Sequence, residues 1–167
     1  MKTKIIKSIV ATALLATTIF ASNTKSNLNI SVGSMKFDNS GKSNNVLNFE
    51  FSAHKRVAGD LYLGGGIEGQ YTMETKNNSG RSADIYPSIS YNITDDFAIN
   101  ATVGYTYGYS NNITYKGISS SIGAEYYFSK KFGVGIRYKK YDIDYDTLTG
   151  DVPDTLTATT ISFNQRF

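Results

Sequence analysis

The 167-residue chain carries 17 basic and 14 acidic side chains, one histidine, and neither cysteine nor tryptophan. Lacking cysteine, it has no disulfides, no thiolate metal sites and no lipidated amino-terminal cysteine. The basic excess sits at the start: without Lys2, Lys4 and Lys7, 14 basic groups face 14 acidic ones, so charge implies no nucleic-acid partner.

Residues 1–21 have the three parts of a secretory signal peptide. Lys2, Lys4 and Lys7 form the positive region, apolar residues dominate from Ile9 to Phe20, and Ala21 suits cleavage. The apolar run falls short of the ~20 residues that a spanning helix needs. An exported mature chain over 22–167 is therefore expected.

Beyond Ala21 no long 3.6-period stripe appears. Alternation of period two recurs instead in segments of about 10 residues, the pattern of membrane-barrel strands. The first, 28–37, puts Leu28, Ile30 and Val32 on one face. The second, 46–54, aligns Leu47, Phe49, Phe51 and Ala53 against Asn48, Glu50, Ser52 and His54. In the third, 61–74, Leu61, Leu63, Ile67, Tyr71 and Met73 oppose Tyr62, Glu68, Gln70 and Thr72. The fourth, 83–92, has Ala83, Ile85, Ile89 and Tyr91 on its apolar side. The fifth is the cleanest, with Phe97, Ile99, Ala101, Val103, Tyr105, Tyr107 and Tyr109 on one side. The sixth sets Ile118, Ile122, Ala124, Tyr126 and Phe128 against Ser119, Ser121, Gly123, Glu125 and Tyr127. The seventh sets Phe132, Val134, Ile136 and Tyr138 against Gly133, Gly135, Arg137 and Lys139. The eighth, 157–167, carries Ile161, Phe163, Gln165 and Phe167 on one face.

Tight connections at 56–60, 94–96 and 129–131 alternate with longer polar ones at 38–45, 75–82, 110–116 and 146–156. Short turns on one side and longer loops on the other fit an all-β, eight-stranded antiparallel up-and-down transmembrane barrel over 22–167. Tyr91, Phe97, Phe128 and Phe132 flank the tight turns, and Tyr71, Tyr105, Tyr107, Tyr109 and Tyr138 fall toward the other boundary, as interfacial girdles require.

With this leader, this alternation and a terminal aromatic, the chain resembles the small eight-stranded outer-membrane β-barrel superfamily, whose members include the barrel domain of outer-membrane protein A and outer-membrane protein X. The stretch 119–146, SSSIGAEYYFSKKFGVGIRYKKYDIDYD, and the closing ISFNQRF carry the likeness. It implies a Gram-negative outer membrane with lipopolysaccharide around the barrel. It also implies an assembly machinery that reads the last strand, with Phe163 and Phe167 as its signal. A monomer without cofactor is expected.

The interior of such a barrel is about wide enough for side chains alone. Gly64, Gly66, Gly104, Gly123, Gly133 and Gly135 leave room there for Tyr62, Tyr86, Tyr127 and Arg137. Inward charges are Glu50, Glu68, Asp84, Glu125 and Arg137, with Lys139 and Arg166 as additions. Counting from the turns sets Glu50 opposite Gly66, with Glu68 diagonal, and makes Glu125 and Arg137 a diagonal pair. Unpaired buried charge is costly, so Glu50, Glu68, Glu125, Arg137 and Lys139 are expected to form a lumen cluster. The resemblance implies a similar plug in the outer-membrane protein A barrel.

Some barrels of this membrane modify lipid A, and His54 shares a face with Ser52 and Glu50. Two-residue spacing along a strand separates side chains by about 6–7 Å, too far for direct proton transfer. No enzyme and no catalytic residue are expected. Asp142, Asp144, Asp146, Asp151 and Asp154 read as a solvated acidic rim, because Thr147 and Pro153 occupy the positions where a calcium loop needs Gly and Glu. No metal site is assigned. Lys116, Lys139 and Lys140 near that rim are candidates to touch lipopolysaccharide phosphates. The chain thus reads as an envelope-stabilising or surface-interacting barrel, with a narrow ion channel as the alternative.

Overall fold

Alternating β-branched and aromatic residues suit a pleated surface, and they form eight strands: β1 (Thr24–Phe37), β2 (Ser43–Ala58), β3 (Leu61–Met73), β4 (Gly80–Asn92), β5 (Phe97–Ser110), β6 (Ile113–Tyr127), β7 (Phe132–Thr147) and β8 (Gly150–Arg166). This computed structural model describes residues 24–38, 41–73, 80–110, 113–147 and 150–167, so the signal peptide read over 1–21 lies outside the described residues. Each strand pairs antiparallel with the next and β8 pairs back onto β1, which closes the barrel. Closure removes the sheet edges and satisfies the backbone internally, a necessity in lipid.

The barrel is ordered inside out. Phe49, Val103 and Ile136 point outward and are 53%, 59% and 55% exposed, whereas Asn29, Glu68, Thr106 and Asn164 are enclosed. A soluble protein buries the first set and hydrates the second. A bilayer reverses both preferences, because lipid covers the apolar band and the lumen shelters the polar groups.

Two features depart from the sequence reading. The strands are longer than the alternating segments at the end opposite the tight turns: β5 reaches Ser110 and β6 starts at Ile113, while β7 reaches Thr147 and β8 starts at Gly150. The stretches read as long connections at 110–116 and 146–156 are therefore largely paired strand. The second feature explains the first. On β7 the apolar residues change sides after Tyr138, so that Tyr141, Ile143 and Tyr145 face inward and Lys140, Asp142 and Asp144 face outward. The β7–β8 register runs unbroken from Phe132 opposite Gln165 to Thr147 opposite Gly150, so this is no slip. The apolar band ends there, and the barrel continues into water as an ordinary sheet cylinder with its own apolar centre. That centre is Met35, Val46, Tyr115, Tyr141, Ile143, Leu156 and Ala158, with Phe37 and Tyr145 packed against it.

Candidate functional site

The lumen chemistry begins with a register. The β2–β3 ladder shifts between Arg56 and Ala58, next to Gly59 in the left-handed region (φ 51°). That irregularity moves the pairing counted from the turn: Ser52 lies opposite Gly66, and Glu50 lies directly opposite Glu68 rather than diagonal to it. Glu68 in turn pairs with Asp84 on β4. Three carboxylates thus form one row across β2, β3 and β4, and like charges in directly opposed positions repel.

Two cations on β7 answer them from across the lumen. Arg137 Nη1 donates to Glu50 Oε2 and to Glu68 Oε2 (3.1 Å), and Arg137 Nη2 donates to Glu50 Oε1 (3.2 Å). Lys139 Nζ donates to Glu68 Oε1 at 2.9 Å and forms an ion pair with Asp84. Tyr86 donates its hydroxyl to Glu50 Oε1. Glu50, Arg137, Glu68, Lys139 and Asp84 are therefore one continuous chain of charge-assisted contacts. Asp84, named at sequence level among the inward charges but left out of the cluster, is part of it. It meets Glu68 through the regular β3–β4 register, while the bulge displaces Glu50 alone.

Glu125 stands apart. Asn100 Nδ2 (3.1 Å) and the Tyr127 hydroxyl (2.8 Å) donate to its carboxylate, while the ion pairs of Arg137 go to Glu50 and Glu68. Glu125 and Arg137 keep their diagonal places, Gly123 lying opposite Arg137 and Glu125 opposite Gly135, but the guanidinium extends across the lumen instead of along its own wall. Lys139 is likewise corrected as a surface lysine: it is 4% exposed inside the barrel, so only Lys116 and Lys140 remain outward. Lys140 is ion-paired with Asp142 at 2.9 Å. That pair lies beyond the apolar band, and the hydrogen bond from Lys140 holds the Asp142 carboxyl below its usual range. Among the described residues no group of three or more His, Asp or Glu is arranged to hold a metal ion.

The glycines of β3 make the cross-lumen contacts geometrically possible. Gly66 lies between Ser52 and Tyr86, and a Cβ there would sit 2.4 Å from the Tyr86 hydroxyl. The tyrosine ring crosses the space a side chain would fill, and so reaches Glu50. Gly64 does the same between His54 and Ser88, whose Oγ lies 2.8 Å from His54 Nε2. Sequence reasoning considered Ser52 and Glu50, which share the His54 face but lie too far along the strand, and did not reach Ser88, since a partner two strands away leaves no local trace. The small residue at the intervening Gly64 was the available signal.

At the tight-turn end, Lys25 lies over the Tyr62 ring (4.4 Å) and Arg166 over Tyr127 (3.6 Å). Both are cation–π contacts that keep the basic group against the barrel wall. Phe163 stacks on Phe132 of β7 with centroids 5.7 Å apart, and Phe167 N donates to Ser26 O at 2.8 Å. Toward the far end of the lumen lies the apolar layer around Met35, Val46, Tyr141 and Leu156. Within that layer Tyr141 donates its hydroxyl to Gln70 Oε1 at 3.2 Å.

The family model described as "Outer membrane protein beta-barrel domain" matches residues 8–167. No curated protein matches the chain in sequence. Among solved structures, the chain is similar to Ail, the attachment invasion locus protein of Yersinia pestis, at 11% identity and a TM-score of 0.61, covering 86% of this chain and 97% of that one. It is similar to Neisserial surface protein A at 11% identity and a TM-score of 0.59, covering 87% and 98%. It is also similar to the outer membrane enzyme PagL at 15% identity and a TM-score of 0.55, covering 83% and 97%. These likenesses are of fold.

Proposed function

The chain belongs to the outer membrane β-barrel protein family and resides in the outer membrane, and from that premise we propose that it is a closed, non-conducting barrel with an envelope-stabilising or surface-interacting role. The observation that carries this reading is the continuous contact chain Glu50–Arg137–Glu68–Lys139–Asp84 lying across the lumen. Breaking it strands charge away from water, which costs several kcal/mol per pair. Residues 1–21 act as a cleaved export signal, Phe163 and Phe167 present the last strand to the assembly machinery, and the mature barrel is a monomer. Lys116 and Lys140 meet lipopolysaccharide phosphates at the outer boundary.

Purified protein in planar bilayers is expected to give no stepwise conductance. A strain lacking it is expected to become detergent-sensitive and to regain resistance with the intact gene. Regular steps from the native protein that shift with Arg137→Ala would replace this reading with the channel.

The channel has one observation in its favour. Asn27, Asn29, Asn48 and Asn164 on β1, β2 and β8 hold buried amide atoms without a protein partner, and buried amides of that kind are served by water. That polar wall runs beside the charge chain but stops at the apolar layer, which is why the closed reading is preferred. The fold likeness to PagL raises catalysis as well. The Ser88–His54 contact is read as structural, because Glu50, the acid on the same face as His54, is committed to Arg137 and Tyr86.

A further inference from the structure

Above the apolar layer, at the end opposite the tight turns, the barrel opens into a cavity of about 390 Å³. Its floor is Met35 and Leu156, and its walls include Phe37, Tyr115 and Tyr145. The polar groups around it include the hydroxyls of Thr72 and Ser110 and the side chain of Lys42. An apolar concavity with a few converging polar groups is the usual form of a small-molecule site. Neither the charge chain nor the membrane-facing band needs it. We propose that this outer vestibule binds a compact aromatic molecule with a hydrogen-bond-accepting edge.

Three features select that chemistry. Tyr115 and Tyr145 stand edge to face with centroids 5.6 Å apart, a geometry that a further ring extends favourably. Met35 on the floor contributes a thioether, which packs well against aromatic edges. The Lys42 ammonium can only donate hydrogen bonds and the Thr72 and Ser110 hydroxyls can donate as well as accept, so all three serve an accepting edge on the occupant.

A bilayer lipid is a poor occupant. The outer face at this level carries Lys140, Asp142 and Asp144, so an acyl chain would have to leave the apolar band and cross charged surface to enter. The volume lies at the small end of the range for ligand pockets, which favours one or two fused rings.

Gly80 provides a clean test. It lines the cavity, and a side chain there would meet nothing nearer than Thr72 Oγ1, 3.4 Å from its Cβ. Gly80→Phe therefore fills the vestibule without moving the backbone, and Ser110→Phe fills it from β5. The chain has no tryptophan, so the emission of indole-3-carboxylate, excited to the red of tyrosine absorption, can be followed against an empty-nanodisc blank. Titration of this probe into nanodiscs holding the intact barrel is expected to give saturable binding above that of empty nanodiscs. Binding is expected to fall at least tenfold in Gly80→Phe, or in Ser110→Phe should the first variant lose its heat-shifted gel mobility, and to be unchanged in the lipid-facing Val103→Ala. Cyclohexanecarboxylate is expected to compete at least tenfold more weakly. No saturable excess over empty nanodiscs, full binding in a folded filled variant, or equal competition by the saturated ring overturns the proposal.

Discussion

Glu50 and Glu68 face each other directly across the β2–β3 ladder, and a single nitrogen of Arg137, Nη1, donates to both. Without that bridge the two carboxylates would be opposed like charges in a narrow interior. Arg137→Ala is expected to destabilise the barrel by about 3–5 kcal/mol, because it strands buried charge. Denaturant unfolding from lipid vesicles measures this. Adding Glu50→Gln and Glu68→Gln to the same variant is expected to return most of the loss, since neutral amides repel less. A triple variant no more stable than Arg137→Ala would count against electrostatic repulsion as the cause.

Gly66 permits the Tyr86–Glu50 contact by leaving its own place empty. Gly66→Ala would put a methyl 2.4 Å from the Tyr86 hydroxyl and 2.6 Å from Phe51 O, so the ring must move. Overpacking of this sort costs about 1–3 kcal/mol. Gly69 on the same strand points outward, and the nearest atom to a Cβ there is Phe49 O at 4.0 Å. Gly69→Ala is expected to be tolerated. Unfolding midpoints of the two variants, side by side, separate a lumen-specific clash from a general dislike of alanine in β3.

Much of this architecture is visible in the residues before any coordinates. Period two separates Phe49, Val103 and Ile136 from Glu50, Gly104 and Arg137, because lipid and lumen make opposite demands on adjacent side chains. The register of Glu50 is not visible, since one extra residue near Arg56 moves the whole ladder and nothing local announces it. Nor is the apolar inner layer, for a different reason. Tyr141, Ile143 and Tyr145 reverse the phase of Phe132, Val134, Ile136 and Tyr138, and a reading in which one face stays apolar stops where the reversal begins. The Ser88–His54 contact depends on β3 lying between the two strands, and only the closed fold supplies that.

The same reversal makes the effect of an outward charge depend on height. Val103 lies within the apolar band and is 59% exposed, so Val103→Arg is expected to cost about 2–4 kcal/mol, the range for a cation at the bilayer midplane. Asp144 also faces outward but beyond the band, directly opposite Lys116, and Asp144→Arg is expected to cost no more than about 1 kcal/mol, the scale of like charges opposed across a ladder. Folding equilibria in vesicles of one lipid composition test both. Equal costs at the two positions would mean that the band does not end near Tyr138.

Phe167 and Phe163 occupy the outward face of the closing strand, where Phe163 is already held by stacking on Phe132. Phe167 is 66% exposed, and its backbone N–H donates to Ser26 O. Its ring has no aromatic stack like that of Phe163, and the proposed role in assembly is tested by separating insertion in cells from stability in vitro. Phe167→Ser is expected to lower the stability of the refolded protein by no more than about 1–3 kcal/mol, the transfer energy of one apolar side chain. In cells it is expected to lower the heat-modifiable fraction in the outer membrane several-fold. Phe163→Ser, which also removes the stack on Phe132, is expected to impair both. If Phe167→Ser assembled in cells as well as the native chain, the terminal ring would have no part in recognition, and the closing of β8 onto β1 would have to be guided by the ladder alone.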